Sequence, residues 1–341
     1  MNQKISIIEV ARRAGVSKST VSRVISDTGG AVSPKSHERV NAAIKELGYT
    51  RNSLAAGLRS QKTRMILVMV PDIMNPYWAE IARAAQDRFE ADGNSVVVGN
   101  TDWLEAREAR YFDLVRSGRF DGLVLNSVTD DLATIRSLGV PVVLVGERAV
   151  SGIVDTVGTD TMNATRLALE HLWKKGHRRI GIATSDHGSE RFLSLRRRAY
   201  DDFMREKGVQ PDPALAFSVK LSEEGGREMV HSLLALAHWR DRVDAIFCGN
   251  DILAIAAINC LREAGVETGR DISLVGMDDI PAAAHVYPAL TTVRKPRSLI
   301  GAAAAELLLA RIEDPDRPAE KRLFPGQLIA RGSVAERHGN S

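Results

Sequence analysis

The chain has 341 residues, 44% hydrophobic and 26% charged, a composition that supports two or three globular domains with ample core. Its net charge of +3 conceals an uneven spread, since residues 1–64 carry a net +8 and the remainder a net −5, so a polyanionic partner is expected for the small basic segment alone. Two cysteines, Cys248 and Cys260, exclude a disulfide framework, and no apolar run approaches the ~20 residues that cross a bilayer; with no signal-peptide pattern at the start, the expectation is a cytoplasmic protein with no membrane partner.

Residues 5–49 read as three short helices around one apolar centre. Ile7, Val10, Ala11 and Ala14 recur at helical spacing, and Ala14-Gly15-Val16 breaks the pattern. Ser17 is placed to cap a second helix, with Thr20 three residues on. Within that helix Val21, Val24 and Ile25 point inward. Lys18 and Ser22 share one outward face, and Ser19 and Arg23 another. Ser33-Pro34 opens a third helix with stripe Val40, Ile44 and Leu47, and Gly48 closes it. This is the layout of a helix-turn-helix, whose second helix offers hydroxyls and an Arg to phosphates and base edges in the major groove of double-stranded DNA. A three-helix capping module without DNA is the alternative, and the tight turn and basic charge oppose it.

Residues 50–64 follow as a linker. Asn52 is placed to cap a helix from Ser53 to about Leu58, and a helix this short is marginal by itself. Leu58, with Arg59 beside it, has the character of an apolar wedge for the minor groove, against the plainer reading of a connecting segment with a stray Leu.

From Met65 onward apolar runs alternate with amphipathic helices, the pattern of parallel α/β sheets. Strands are expected at 65–70, 95–99, 122–126 and 141–146, and again at 179–184, 215–219, 245–249 and 272–277, which suggests two halves of related architecture with a cleft between them. Ligands of such sheets bind beyond the carboxyl ends of the strands. Those ends carry Asp72 to Trp78, Gly146-Glu147-Arg148, Gly249-Asn250-Asp251 and Met277-Asp278-Asp279, with Arg196 on a following helix. Aromatic rings beside Asp, Asn and Arg suit a small polar ligand bearing hydroxyls or a carboxylate. Each also has a structural reading: Asn250-Asp251 as a helix cap, Asp278-Asp279 as a turn, Trp78 as core.

Signatures of enzymes are missing from the sequence: no GxGxxG after a strand, no P-loop, no GxSxG and no HExxH, and the eight His residues lack metal-ligand spacing. The expectation is no enzyme, no catalytic residues, no metal and no cofactor.

VARRAGVSKSTVSRV, NSLAAGLRS and VPDIMNPYWAEI together resemble the lactose-repressor (LacI/GalR) family of bacterial transcriptional regulators over nearly the whole chain. The resemblance implies an N-terminal three-helix helix-turn-helix head plus hinge helix, and a C-terminal α/β periplasmic-binding-protein-like core of two parallel-sheet subdomains. Residues 1–50 would be the DNA-binding domain, 51–64 the hinge helix and linker, and 65–335 the effector-binding and dimerisation core, with the chain crossing between subdomains near 159–162 and 290–296.

By the same resemblance, Ser17, Lys18, Ser19, Thr20, Ser22 and Arg23 read DNA, and Asn52, Ala55, Leu58 and Arg59 act at a paired hinge. Effector contacts fall on Asn75, Tyr77, Trp78, Glu147, Arg196, Leu221, Asn250 and Asp278, with Arg197 the alternative to Arg196.

Three departures stand out. Leu221 occupies the place of a ligand-stacking aromatic, Gly146 with Glu147 next replaces an Asp, and Ala199 stands near where a Gly is usual. A sugar acid or a sugar phosphate is therefore open as effector beside a plain sugar. The C-terminal ARGSVAERHGNS lacks a Leu-heptad tail, so a homodimer is expected. The function implied is a repressor of a palindromic operator, located at the nucleoid when bound to DNA. A solute-binding protein, a sugar-processing enzyme with an appended head, and a regulator answering to a protein are the alternatives.

Overall fold

The computed structural model describes residues 5–26, 32–49, 62–129, 131–146, 153–185 and 194–337. Within these the chain divides into two compact units, residues 1–64 and 65–341.

The first unit holds α1 (Ile7–Ala14), α2 (Lys18–Ser26) and α3 (Pro34–Leu47). Short helices need their free ends satisfied, and the sequence supplies the caps. Ser6 and Glu9 form a reciprocal capping box on α1, a pairing not anticipated from the sequence. The Ser17 hydroxyl accepts from the Thr20 amide at 3.1 Å, and Ser33 caps α3 ahead of Pro34. Gly15 closes α1 in the left-handed region at φ +60°, a conformation that strains any residue with a Cβ. Val10, Ala11, Ala14, Val21, Val40 and Ala43 make the core, with Val24, Ile25, Ile44 and Leu47 packed around it.

In the second unit the elements run β1 (Met65–Val70), α4 (Pro76–Ala91), β2 (Ser95–Asn100), α5 (Glu105–Arg116), β3 (Gly122–Leu125), α6 (Leu132–Arg136), β4 (Val142–Val145) and β5 (Asp155–Thr159). There follow α7 (Thr161–Lys174), β6 (Ile180–Thr184), α8 (Leu195–Glu206), β7 (Ala216–Ser218), α9 (Glu223–Ala235), α10 (Trp239–Arg242), β8 (Ala245–Cys248), α11 (Asp251–Glu263), β9 (Ser273–Asp278) and β10 (Thr291–Arg294). Last come α12 (Arg297–Glu313), β11 (Lys321–Phe324) and β12 (Gln327–Ile329).

Two six-stranded sheets result, ordered β11-β5-β4-β3-β1-β2 and β12-β10-β9-β8-β6-β7, and every pairing is parallel except β12 with β10. Central strands such as MILVMV and AIFC are buried on both faces, which is why they read as continuous apolar runs. Four strands escape that signal. β5 (DTVGT) and β10 (TTVR) are polar or interrupted by Gly, while β11 and β12 are short and half-exposed.

Among the described residues the chain passes between the sheets three times, at residue 160, at 295–296 and at 325–326. The last passage has no counterpart in the sequence expectation, because it depends on β11 and β12. Helix α12, although it follows a strand of the second sheet, packs on the first with α4. Their crossing is close: a Cβ on Gly301 would lie 2.3 Å from the Ile81 carbonyl oxygen. All strands of the first sheet run the same way, as do all of the second but β12, and Tyr77, Thr159, Asn250, Asp278 and Lys295 lie at or just beyond their carboxyl ends.

Candidate nucleic-acid interface and ligand cleft

On α2 the outward face is polar. Ser17, Lys18, Ser19 and Arg23 are exposed, while Thr20 and Ser22 are half-buried. Ser17, Ser19 and Thr20 form a chain of hydroxyls, with oxygen separations of 2.7 and 2.9 Å from Ser17. Buried Val21 fixes the helix so that this face stays outward. Arg13 of α1 pairs with Glu46 of α3 at 2.6 Å, an exposed link between the two supporting helices.

In the second unit, Asp278 ends β9 with φ +122°, and Asp279 follows at φ +56°. Side chains are rarely held there, and the cost of order 1–3 kcal/mol persists only where neighbours over-determine the geometry. Here they do. Arg297 donates to the carbonyl oxygens of both Asp278 and Asp279, to the latter at 2.9 Å, and its Nε reaches Glu80 on α4 at 2.7 Å. One guanidinium thus ties the strand end of one half to a helix of the other. The Asp279 carboxylate takes Arg294 at 2.7 Å and Arg331 at 2.6 Å; burial works against its charge, but these two cations hold its carboxyl below the usual carboxylate range.

Beside this knot lies a buried charged cluster. Lys295 Nζ meets Asp278 Oδ1 at 2.7 Å and stands 4.3 Å from the centre of the Tyr77 ring. Burial pulls the Lys295 ammonium below its ordinary pKa, against the pull of Asp278, and it does the same to Arg196. Burial, and then the Asp278 charge, push the Tyr77 phenol up. Asp251, at the start of α11, is wholly buried; its carboxylate accepts from the Thr292 hydroxyl at 2.5 Å and from the Ile280 amide at 2.9 Å. Burial, then the neighbouring Asp278, raises it to about 7.

Residues 6–52 match the bacterial regulatory proteins of the lacI family, and residues 169–334 match the periplasmic binding protein-like domain. The HTH-type transcriptional regulator DegA of Bacillus subtilis is 31% identical over 338 residues, covering 97% of this chain and 98% of its own. This chain belongs to the LacI family. Among solved LacI-family structures, the lac repressor dimer bound to operator and the anti-inducer ONPF superposes with a TM-score of 0.83 at 27% identity, over 98% of this chain and all of that one. The complex of the regulator CelR with cellobiose gives 0.72 at 27% identity, over 96% and 99%. The chain is accordingly an HTH-type transcriptional regulator with a DNA-binding head and a two-sheet α/β core.

The residues expected from LacI-family register have mixed surroundings. Asn75 is buried and caps α4, accepting from the Tyr77 amide at 3.0 Å. Trp78 meets Tyr77 edge-on at 4.8 Å between ring centres and packs into the core of the first half. Arg197 is engaged by Asp201 at 3.0 Å, whereas Arg196 is the arginine whose charge is felt by Tyr77 and Lys295. Its Nε is buried without a hydrogen-bond partner among the described residues. Asn250 spends both ends of its amide locally, accepting from Leu253 at 2.9 Å and donating to the Leu221 carbonyl at 3.0 Å. Leu221 packs against the core of the second half, where a Cβ on Gly249 would come within 2.9 Å of its Cδ2.

Glu147 lies outside the described residues, as do Asn52, Ala55, Leu58 and Arg59. Gly146, in the place of the family's Asp, has a physical reason to be glycine: φ is +105°, and a Cβ would stand 2.9 Å from Asn126 Nδ2.

Lys295, Arg297, Thr159 and Asn126 were missed by sequence reasoning. Asn126 follows β3, donates to the Val145 carbonyl at 2.7 Å, and keeps a buried Oδ1 without a hydrogen-bond partner among the described residues. The rule that strand ends carry the site would have found Thr159 and Lys295, had β5 and β10 been recognised. No group of His, Cys, Asp and Glu among the described residues is arranged to hold a metal, and no helix there is long and apolar enough to cross a membrane.

Proposed function

We propose that this regulator is a repressor that binds a palindromic operator as a homodimer, under the control of a small sugar-like effector held between the two halves of its core. The observation that carries the reading is Arg297, which joins Glu80 of one half to the Asp278 and Asp279 carbonyls of the other, beside buried polar groups at the strand ends. A ligand lodged there contacts both halves, and any difference in its affinity for two relative orientations becomes a coupling free energy to the DNA site. The operator- and ONPF-bound lac repressor dimer and the cellobiose-bound CelR support both ends of that linkage.

In this reading Ser17, Lys18, Ser19, Thr20, Ser22 and Arg23 read the major groove. Asn52, Ala55, Leu58 and Arg59 form the hinge contact, with Leu58 as the wedge. The cleft uses Asn75, Tyr77, Trp78, Glu147, Arg196, Leu221, Asn250 and Asp278. The protein performs no chemistry on its effector and works in the cytoplasm.

The test is operator binding by fluorescence anisotropy with the full chain, run with and without a panel of sugars, sugar acids and sugar phosphates. A member that shifts operator affinity and is recovered unchanged supports the reading. Turnover of a sugar, or operator binding indifferent to every member, refutes it. Leu58→Gly is expected to weaken operator binding, and unchanged affinity would remove the wedge.

A further inference from the structure

Of the charged groups around Tyr77, most are matched. Asp279 is held by Arg294 and Arg331, and Glu80 by Arg297. Arg196 and Lys295 are not. Among the described residues, the carboxylate paired with them is Asp278, 2.7 Å from Lys295, and the Arg196 charge opposes that of Lys295. Asp251, the next carboxyl, has both oxygens committed to Thr292 and Ile280, and burial drives it toward its uncharged form. Arg196 Nε is buried without a hydrogen-bond partner among the described residues.

A buried cation is stable only when paired and hydrogen-bonded. Two of them sharing one carboxylate leave up to one positive charge for a visitor to match. The Tyr77 ring, 4.3 Å from Lys295 Nζ, shields the ammonium without neutralising it.

From this imbalance we infer that Lys295 and Arg196 form the seat for an anionic group on the effector, a carboxylate or a phosphate ester, and that this seat sets the specificity of the cleft. The inference rests on the reading of the cleft as the effector site. Lys295 supplies the compact charge and Arg196 the directed donors. Asp278 is then the pivot that holds both in place. A neutral sugar of the same shape leaves the excess charge unmatched, and it is rejected for the reason that any site built to pair a polar group rejects the analogue lacking it.

The experiment is calorimetric titration of the full chain with three matched sets at constant ionic strength: D-glucose, D-gluconate and D-glucose 6-phosphate; D-ribose and D-ribose 5-phosphate; D-galactose and D-galacturonate. In at least one set the anion is expected to bind ~10–100-fold more tightly than its neutral parent, the weight of one charge-assisted hydrogen bond. The acids and the phosphates in separate arms say which anion the seat prefers. Lys295→Met is expected to erase that preference, and Lys295→Arg to keep part of it. Unfolding temperatures check that each variant folds, and should Lys295→Met fail to fold, the wild-type sets decide.

Neutral sugars that bind as well as their anions overturn the seat, and so does a panel in which no anion binds. The two readings fail separately. A neutral sugar that shifts operator affinity ends the anion seat and leaves the regulator intact, whereas loss of any link between cleft and operator ends the regulator reading.

Discussion

Replacing Arg297 by Met keeps the aliphatic stem and removes the guanidinium that spans the two halves of the core. Its Nε to Glu80 is 2.7 Å and its Nη1 to the Asp279 carbonyl is 2.9 Å, with Asp278 sharing the same nitrogen. Glu80 is 41% exposed on its side chain and rehydrates when abandoned, so that ion pair contributes at most ~1 kcal/mol. The carbonyls are the larger stake. They belong to two residues held at positive φ, and donation from a charged group is worth roughly 1.5–3 kcal/mol net. Arg297→Met should therefore cost about 2–4 kcal/mol, which for a unit of this size lowers the unfolding temperature by roughly 5–12 °C. Glu80→Gln should cost under ~1 kcal/mol.

The assay is calorimetric unfolding of the full chain without DNA, at one fixed protein concentration because association shifts the midpoint. If Glu80→Gln proves as damaging as Arg297→Met, the ion pair and not the carbonyl tie is what holds the halves. A shift of less than a degree in Arg297→Met would mean that Asp278 and Asp279 keep their conformation unaided, which refutes the carbonyl tie.

Gly15→Ala places a Cβ at φ +60° against Arg39, whose side-chain end can move, so the expected cost is the ~1–2 kcal/mol of the left-handed conformation; weaker operator binding with unchanged unfolding of the core is the signature. Arg23→Ala should lose ~1–3 kcal/mol of operator affinity and relax preference at one base pair, and an equal loss on every sequence would make Arg23 a phosphate contact instead. Asp251, raised to about 7, binds its proton more tightly in the folded chain than in the unfolded one. Its contribution is therefore fully present below about 4 and is lost as pH rises through about 7. Denaturant titrations from pH 5 to 8 should show that decline, and Asp251→Asn, with Thr292 turned to accept, should flatten it.

The head was legible in the sequence because short helices must advertise their ends. Ser17, Ser33, Gly15 and Gly48 occupy the caps that their residue types imply. The central strands were legible as buried apolar runs. β5 and β10 were not, since side chains elsewhere sustain them. Asp155 in β5 is gripped by Arg311 at 2.9 Å; in β10 the Thr291 amide donates to Ser333 Oγ at 2.8 Å, and Thr292 reaches Asp251. Partners 40 or more residues away leave no local pattern. Missing those two strands hid Thr159 and Lys295 with them, so the sequence reading of aromatic rings beside Asp, Asn and Arg lacked the buried lysine.

The three passages between the sheets bear on how the molecule is made. β11, which completes the first sheet beside β5, is supplied only by residues 321–324, after every strand of the second sheet except β12 has been threaded. The first half therefore cannot close its edge while the second is still being synthesised, although domains that are contiguous in sequence fold one after another. The two halves must mature together, late, whereas α1, α2 and α3 of the head find their packing partners within residues 5–49. A chain terminated past the head but short of β11 would carry a DNA-binding unit without a finished governor.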